Sequence, residues 1–128
     1  MTEKTDSIKI LIAEDDPFLG KIIYNQLKNL FEVDKAEDGV AALEKVRNNA
    51  YDFILLDLVM PNKDGFEVLE ELRKNKNRVP VYVFSNLSQE REKKRAFALG
   101  AKGFYVKSEM ELHDIKKLVM SFVEKRGG

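Results

Sequence analysis

The feature that most restricts the fold of this chain is a run of four apolar residues, Phe53–Leu56, that ends on the carboxylate of Asp57. A short apolar run between turn signals is typical of a strand that is buried on both faces of a sheet. A turn around Pro61 follows, and Asp64 begins a new segment. Open α/β sheets bind their ligands at the carboxyl edge of the strands, so Asp57 is the first candidate for a functional residue.

Four other segments also have strand character, and a helical pattern follows each of the five. We predict strands at 8–13, 31–35, 53–56, 79–84 and 103–106. The helices between them are marked by apolar residues at helical spacing and by capping residues at their starts. The predicted helix starts lie at Asp16, Asp38, Asp64, Ser88 and Ser108. This strand–helix alternation predicts an α/β protein with one parallel sheet and helices on both of its faces.

The composition excludes several classes of protein. The 22 basic and 22 acidic residues balance, so no net charge draws the chain to nucleic acid or to anionic membranes. The absence of cysteine excludes disulfides and thiolate metal sites, and one histidine, His113, cannot form a multi-histidine site. No apolar run approaches the roughly 20 residues of a membrane span. We expect a cytoplasmic protein with a polar leader at 1–7, one domain at 8–124, a frayed tail at 125–128 and no effector domain.

The residues that end parallel strands meet at one edge of the sheet, whatever their separation in sequence. Carboxylates without His or Cys favour a hard divalent ion, and Mg²⁺ is the usual choice for phosphate chemistry. Carboxylates, a lysine and a hydroxyl together suit phosphoryl transfer onto Asp57. Asp16 is favoured as a helix cap, and Asp52, roughly 17 Å from Asp57 along the strand, lies at the opposite edge. The residues predicted to converge are Glu14, Asp15, Asp16, Asp57, Ser85, Asn86 and Lys107.

Four stretches of the chain resemble the receiver domains of response regulators in two-component signal transduction, and chemotaxis regulators in particular. The Leu-Asp-x-x-Met-Pro-x-x-Asp-Gly pattern is the most specific of the four. The resemblance implies a (βα)5 flavodoxin-like, doubly wound parallel sheet of five strands in the order 2-1-3-4-5. The four stretches are Ile10-Leu-Ile-Ala-Glu14-Asp15-Asp16, Leu56-Asp57-Leu-Val-Met60-Pro61-Asn-Lys-Asp64-Gly65, Val81-Tyr-Val-Phe-Ser85 and Gly100-Ala101-Lys-Gly103-Phe104-Tyr-Val-Lys107.

The resemblance also implies a role for individual residues. Asp57 resembles the phosphoacceptor, Lys107 the lysine that grips the phosphoryl group, and Ser85 the hydroxyl that moves to hydrogen-bond it. Phe104 resembles the aromatic switch that turns inward when Ser85 moves. Mg²⁺ is the implied cofactor, with Mn²⁺ as a substitute. The implied metal ligands are Asp15 and Asp57 directly, the backbone carbonyl of Val59, and Glu14 through water.

The function implied by the resemblance is that of a phosphoacceptor in a phosphorelay. The donor would be a sensor histidine kinase or a histidine phosphotransfer protein, and the activity would otherwise be limited to weak self-phosphorylation and autophosphatase activity. The output would pass to a downstream protein through the fourth helix, the fifth strand and the last helix. The charged run 90–95 is either part of that surface or a solvated face. We expect a monomer or a phosphorylation-dependent dimer that binds no nucleic acid or membrane by itself. The intact Met1 and short leader favour a stand-alone receiver over a piece of a longer protein.

Three departures from the family pattern surround the proposed site. Ser108 follows Lys107 where relatives usually have proline, often after a cis bond; because a cis bond to a non-proline residue costs about 3 kcal/mol, we expect a trans bond and Ser108 as a helix cap. Asn86 replaces a small residue, and would either hydrogen-bond the phosphoryl group or obstruct its donor. Val59 and Leu87 are apolar where many relatives are polar. These residues predict a comparatively long-lived phosphoryl group.

Two other classes of function fit the same fold. A pseudo-receiver would keep the fold as an interaction module without phosphorylation, although Asp15, Asp57, Ser85 and Lys107 argue against this. A flavodoxin-like cofactor binder needs a phosphate-cradling loop after the first strand, where this chain has acids that would repel phosphate. Failure of Asp57 to react with small phosphodonors would favour the first alternative, and a coloured purified protein would favour the second.

Overall fold

A parallel five-stranded sheet forms the centre of the computed structural model, which describes residues 8–127. The order of the strands is β2-β1-β3-β4-β5, and every neighbouring pair is parallel. This confirms the predicted α/β class and strand order. The predicted leader at 1–7 lies outside the described residues. The strands are β1 Lys9–Ala13, β2 Glu32–Ala36, β3 Phe53–Leu56, β4 Val81–Ser85 and β5 Gly103–Val106.

Five α-helices connect the strands and cover both faces of the sheet. A short 3₁₀ turn, Lys107–Glu109, precedes the last helix. That helix continues to Gly127, so the segment from 125 to 127, predicted as a frayed tail, is helical. No helix in the part of the chain from 8 to 127 combines the length and apolarity that a membrane crossing requires. The helices are α1 Pro17–Leu27, α2 Gly39–Asn48, α3 Gly65–Lys74, α4 Glu90–Ala98 and α5 Leu112–Gly127.

The starts of the first three helices agree with the sequence prediction, and the last two do not. The carboxylates of Asp16, Asp38 and Asp64 accept backbone N–H groups of the first turns of α1, α2 and α3. The prediction of Ser88 as a cap was wrong, because α4 begins after Gln89.

The prediction of Ser108 as a helix cap was also wrong. Ser108 lies inside the 3₁₀ turn, which moves the start of α5 to Leu112. The carboxylate of Asp114 reaches back to accept the N–H of Glu111 at 2.9 Å just before this start. The local Ser-x-x-Glu pattern is therefore overridden by the turn that follows Lys107.

Strand β3 is the most buried strand and explains the apolar run in the sequence. All four of its side chains are at most 2 % exposed. Ile54 and Leu56 face the core beneath α2, α3 and α4, whereas Phe53 and Leu55 face the core beneath α1 and α5. A strand covered on both faces needs apolar side chains at successive positions rather than at alternate ones. The same burial holds the end of β3, and hence Asp57, in a fixed position.

Gly65 allows α3 to begin in direct contact with the chain that leaves β3. A Cβ atom at this position would lie 2.4 Å from the carbonyl oxygen of Asp57 and 2.7 Å from the Cα of Leu58. These are backbone atoms and cannot rotate away. We therefore expect Gly65→Ala to lower the free energy of unfolding by about 2 kcal/mol, measured by urea denaturation.

Gly20→Ala is a matched control for this substitution. Its Cβ would meet nothing closer than a side-chain carbon of Glu14 at 3.9 Å. Alanine is favoured over glycine inside a helix by about 1 kcal/mol, so this variant should be at least as stable as the parent. Equal destabilisation at both positions would contradict the steric explanation.

Candidate functional site

Three strands deliver charged side chains to one point at the carboxyl edge of the sheet. Glu14 follows β1, Asp57 follows β3 and Lys107 follows β5. The Nζ atom of Lys107 lies 2.7 Å from Oδ2 of Asp57 and 2.8 Å from Oε1 of Glu14. Asp57 is only 4 % exposed and Glu14 only 3 %. One lysine therefore bridges two buried carboxylates that are distant in sequence.

The backbone around Asp57 fixes its position at the end of the sheet. Its N–H donates to the carbonyl oxygen of Ala13 at 3.0 Å, which extends the pairing of β1 with β3. The N–H of Val59 donates to Oδ1 of Asp57 at 3.2 Å. The N–H of Gly65 donates to the carbonyl oxygen of Leu58 at 2.9 Å. These bonds leave the Asp57 carboxylate facing Lys107 on one side and the turn on the other.

A third carboxylate, that of Asp15, completes an acidic cluster. Oxygen atoms of Glu14, Asp15 and Asp57 lie within 4.8 Å of one another. Asp15 is exposed, so the cluster opens to solvent on its side. Asp16 has a different function, because its carboxylate accepts the N–H groups of Phe18 and Leu19 at the start of α1. The structure thus brings together the predicted acids and agrees with the interpretation of Asp16 as a helix cap.

Glu14 is an unusual member of this cluster because one of its oxygens is buried without a hydrogen bond. Oε2 accepts the N–H of Asp16 at 3.0 Å. Oε1 has no hydrogen-bond partner assigned among the described residues, and its polar contact is the ion pair with Nζ of Lys107 at 2.8 Å. Burial raises the pKa of Glu14 to about 7, although Lys107 opposes this, and the nearby charge of Asp57 adds to it.

Lys107 remains a cation in this setting. Burial on its own lowers the pKa of Lys107, but the contacts with Asp57 and Glu14 outweigh burial and raise that pKa above its ordinary value. A single lysine cannot neutralise three carboxylates when all of them are ionised. With all three carboxylates ionised, the cluster therefore has two negative charges more than Lys107 can balance.

The donor set fits a hard divalent cation such as Mg²⁺. It consists of carboxylate oxygens alone, and within the described part of the chain the buried Glu14 Oε1 contacts only the ammonium group of Lys107. The exposed side chain of Asp15 leaves room for water ligands, which Mg²⁺ retains in most protein sites. The backbone of Val59 lies beside Asp57, as its hydrogen bond shows. The metal-binding role of its carbonyl group stays a prediction.

Ser85 is the last residue of β4 and Asn86 follows it, so both lie at the same edge of the sheet. Ser85 is fully buried, and its Oγ accepts the N–H of Leu87 at 3.2 Å. Asn86 is exposed, and its Oδ1 accepts the backbone N–H of Ser108 at 2.9 Å. This bond was missed in the sequence, where Asn86 was considered only in relation to the phosphoryl group. The sequence did contain a signal for this bond, namely that Asn86 and Ser108 both depart from the family pattern. A proline at 108 would have no N–H to donate to Asn86.

The peptide bond between Lys107 and Ser108 is trans, as predicted. No cis peptide bond occurs between residues 8 and 127.

The strand that leads to Lys107 places its two aromatic residues on opposite sides of the sheet. Phe104 packs toward α4, where Nζ of Lys93 lies 5.9 Å from the centre of its ring. Tyr105 packs on the α5 side, with its ring centre 6.3 Å from that of Tyr82. Of these two aromatic residues, Phe104 therefore lies on the α4 side. Its role as a switch stays a prediction.

His113 lies on the surface in the first turn of α5. Its ring nitrogens lie 3.6 Å from a carboxylate oxygen of Glu111 and 3.4 Å from one of Asp114. It is not among the residues that form the acidic cluster.

Comparison with known proteins gives a consistent set of similarities. The family model described as "Response regulator receiver domain" matches residues 10–119. The transcriptional regulatory protein CiaR of Streptococcus pneumoniae is 33 % identical over 120 residues, which cover 94 % of this chain and 53 % of CiaR. The chemotaxis protein CheY of Halobacterium salinarum is 30 % identical over 100 residues, which cover 77 % of this chain and 83 % of that protein.

Solved structures lead to the same group of proteins. The receiver domain of the Francisella response regulator 1452 superposes with a TM-score of 0.83 and 28 % identity, covering 95 % of this chain and 100 % of that domain. A sensor protein is also among the similar sequences: EvgS of Escherichia coli is 36 % identical over 96 residues, which are 74 % of this chain and 8 % of EvgS. The chain thus spans about half the length of CiaR and a small part of EvgS.

Proposed function

The chain belongs to the family of response regulator receiver domains, and from this membership we propose that Asp57 accepts a phosphoryl group from a phosphohistidine. The donor is a sensor histidine kinase or a histidine phosphotransfer protein. The observation that carries the proposal is the position of Asp57, which is buried at the carboxyl edge in contact with Lys107 and beside two further acids. The protein is a signalling module, with weak self-phosphorylation and autophosphatase activity as its only catalysis.

The transfer forms one bond and breaks one. A carboxylate oxygen of Asp57 forms the new bond to phosphorus, while the bond between phosphorus and the donor's imidazole nitrogen breaks. The electron pair of the broken bond leaves with that nitrogen. Asp15 and Asp57 would hold Mg²⁺ directly, with the Val59 carbonyl and with Glu14 acting through water. Bound Mg²⁺, or Mn²⁺ in its place, would neutralise charge on the phosphoryl oxygens.

The new acyl phosphate carries more negative charge than the carboxylate it replaces. In the unmodified protein Nζ of Lys107 lies 2.7 Å from Asp57, so it can form an ion pair with the phosphoryl oxygens after transfer. The hydroxyl of Ser85 can donate to the same group after leaving its contact with the N–H of Leu87. Interactions that exist in one state alone bias a two-state equilibrium toward that state. Phe104 would respond to the movement of Ser85, and a downstream protein would bind the face formed by α4, β5 and α5.

The most direct test is reaction with acetyl phosphate, followed by intact mass spectrometry. With Mg²⁺ present, the mass should rise by one phosphoryl group, and excess EDTA should prevent this increase. Labelling that is equally fast in EDTA would contradict the role of the metal. No labelling by any small phosphodonor would favour the alternative of an interaction module that is not phosphorylated.

The lifetime of the phosphoryl group is a separate part of the proposal. The side chain of Val59 is 56 % exposed beside Asp57 and has no polar atom that could orient an attacking water. We expect Val59→Asn to shorten the half-life of the acyl phosphate by about three-fold or more, because an amide there can position water. The decay is followed by mass spectrometry after the donor is removed, with Val59→Leu as an apolar control. Unchanged decay in both Val59→Asn and Asn86→Ala would disprove this part.

The remaining assignments rest on the sequence and extend the proposal. We take 8–124 as the receiver unit, acting in the cytoplasm as a monomer or as a phosphorylation-dependent dimer. Because CiaR is about twice as long as the matched region, the output of a complete protein belongs to the proposal as well. Capture of partners by the phosphorylated chain, compared with Asp57→Ala, identifies the downstream protein.

A further inference from the structure

A second concave site lies at the amino edge of the sheet, opposite to Asp57. It is a groove between the C-terminal ends of α3 and α4 and the segment that leads into β4. Its volume is about 530 Å³, which is within the range of small-molecule sites in proteins. Its floor is apolar and is formed by Leu69, Leu72, Val79, Val81 and Leu99.

Four cations line the rim of this groove, and no acidic residue of the described chain lines it. They are Arg73, Lys76, Arg78 and Lys102, and all are exposed. Within 8–125 none of the four is part of an ion pair; Arg73 alone makes a side-chain hydrogen bond, from Nη1 to the carbonyl oxygen of Ala98 at 2.7 Å. The chain as a whole has no net charge, so this concentration of one sign is local. A cleft lined by one sign of charge raises the local concentration of ions of the other sign.

The backbone of Lys76 gives a second, independent observation. Helices α3 and α4 end in the same hydrogen-bonded turn, in which a residue with positive φ follows the helix. In α4 this residue is Gly100, with φ 108°, and in α3 it is Lys76, with φ 59°. The N–H of Lys76 donates to Arg73 at 3.0 Å, and that of Gly100 donates to Phe97 at 3.0 Å. Glycine suits such a position better than any other residue, yet α3 carries a cation there, at the rim of the groove.

Compensation of the helix dipole does not account for this arrangement. Cations near a helix C-terminus are favourable, and Arg73 and Lys74 in the last turn of α3 already supply that compensation. It does not explain Arg78 and Lys102, which lie in the loops that lead into β4 and β5. Because Arg73 and Lys74 already compensate the dipole, it gives no reason for a cation in place of glycine at position 76, where φ is positive. An anionic occupant explains the loop cations Arg78 and Lys102 and also the cation at the turn position of Lys76.

We propose that this groove binds an organic phosphate of nucleotide size, with its phosphates at the cationic rim and its base on the apolar floor. Arginine and lysine are the residues that most often bind phosphate, through charge-assisted hydrogen bonds. Oδ1 of Asn77 accepts the N–H of Val79 at 3.0 Å, which leaves its amide N–H₂ as a donor to the ligand. The site is separate from the acidic cluster, and its occupation requires neither metal nor phosphorylation.

The test is a titration of the full chain with ADP in excess EDTA, followed by amide chemical shifts in nitrogen-15 NMR spectra. EDTA prevents a metal–nucleotide complex from binding at the acidic cluster. Saturable shifts should concentrate at residues 73–78 and 99–102. ADP should bind about five-fold more tightly than either pyrophosphate or adenosine, because only ADP uses both the rim and the floor. Shifts confined to the carboxyl edge, or none at millimolar ADP, would overturn the proposal, and so would equally tight binding of pyrophosphate.

Lys76→Gly separates ligand binding from folding. The substitution removes one cation and supplies the residue that the turn prefers, so the unfolding temperature should stay the same or rise. The affinity for ADP should fall by about five-fold. Lys74→Gln is the matched control, because it removes the same charge from the exposed surface of α3 outside the groove. An equal loss of affinity in both variants would show that net charge alone is responsible and would overturn the site.

Discussion

Asp57→Asn is expected to lower phosphorylation by acetyl phosphate by at least about 100-fold, because the amide has no anionic oxygen to attack phosphorus. The position is buried and its backbone bonds are made by N–H and carbonyl groups, so the substitution leaves the fold in place. Lys107 also retains Glu14 as a partner at 2.8 Å. The label is measured by intact mass after a fixed reaction time, and circular dichroism verifies the fold.

Asp64→Asn is the matched control for this prediction. Asp64 belongs to the same turn, but its carboxylate accepts the N–H of Glu67 at 2.9 Å as the cap of α3. Asparagine caps helices as well as aspartate does, so this variant should be phosphorylated like the parent. A label that persists in Asp57→Asn, or disappears in Asp64→Asn, would assign the phosphoacceptor to another carboxylate.

Lys107→Met is expected to lower the free energy of unfolding in metal-free buffer by about 2 kcal/mol. The substitution removes the cation that bridges Asp57 and Glu14 and leaves two buried carboxylates without a counter-charge. Saturating Mg²⁺ should recover most of this loss, because the ion supplies the missing positive charge at the same cluster. The stabilisation by Mg²⁺ should therefore be larger in the variant than in the parent, in which Lys107 competes with the ion.

The measurement is urea denaturation of both proteins in EDTA and in Mg²⁺. Lys94→Met, on the exposed surface of α4, is the control and should change neither the stability nor its dependence on Mg²⁺. Two results would contradict the prediction. One is equal stability of Lys107→Met and the parent in EDTA, and the other is a smaller effect of Mg²⁺ on the variant than on the parent.

The sequence predicted the sheet because its signals are local and repeated. The apolar run of β3 and the capping aspartates act over a few residues, and burial on both faces leaves little alternative for Phe53–Leu56. The prediction of Ser108 as a helix cap failed for a physical reason. Ser108 lies in a turn, and its N–H donates to Oδ1 of Asn86. This contact joins two different loops, so no short-range pattern contains it.

The sequence predicts which residues meet at the candidate site, but it does not predict the contacts between their side chains. Topology alone brings the ends of β1, β3 and β5 to one edge, so Glu14, Asp57 and Lys107 could be grouped from the sequence. That Lys107 contacts both acids depends on the reach of its side chain, which spacing does not give. The basic groove was missed because its cations lie on separate segments, at the end of α3 and in the loops before β4 and β5, which no short-range pattern groups together.

The bond between Asn86 and Ser108 has a consequence for protein engineering. The two positions are a matched pair in which the side chain of one satisfies the main chain of the other. Introducing a proline at 108 removes the donor, whereas introducing a small residue at 86 removes the acceptor. A chimera that changes only one of the two positions would therefore leave the other without its hydrogen-bond partner. Grafts between this chain and its relatives should therefore transfer residues 86 and 108 together, although 22 positions separate them.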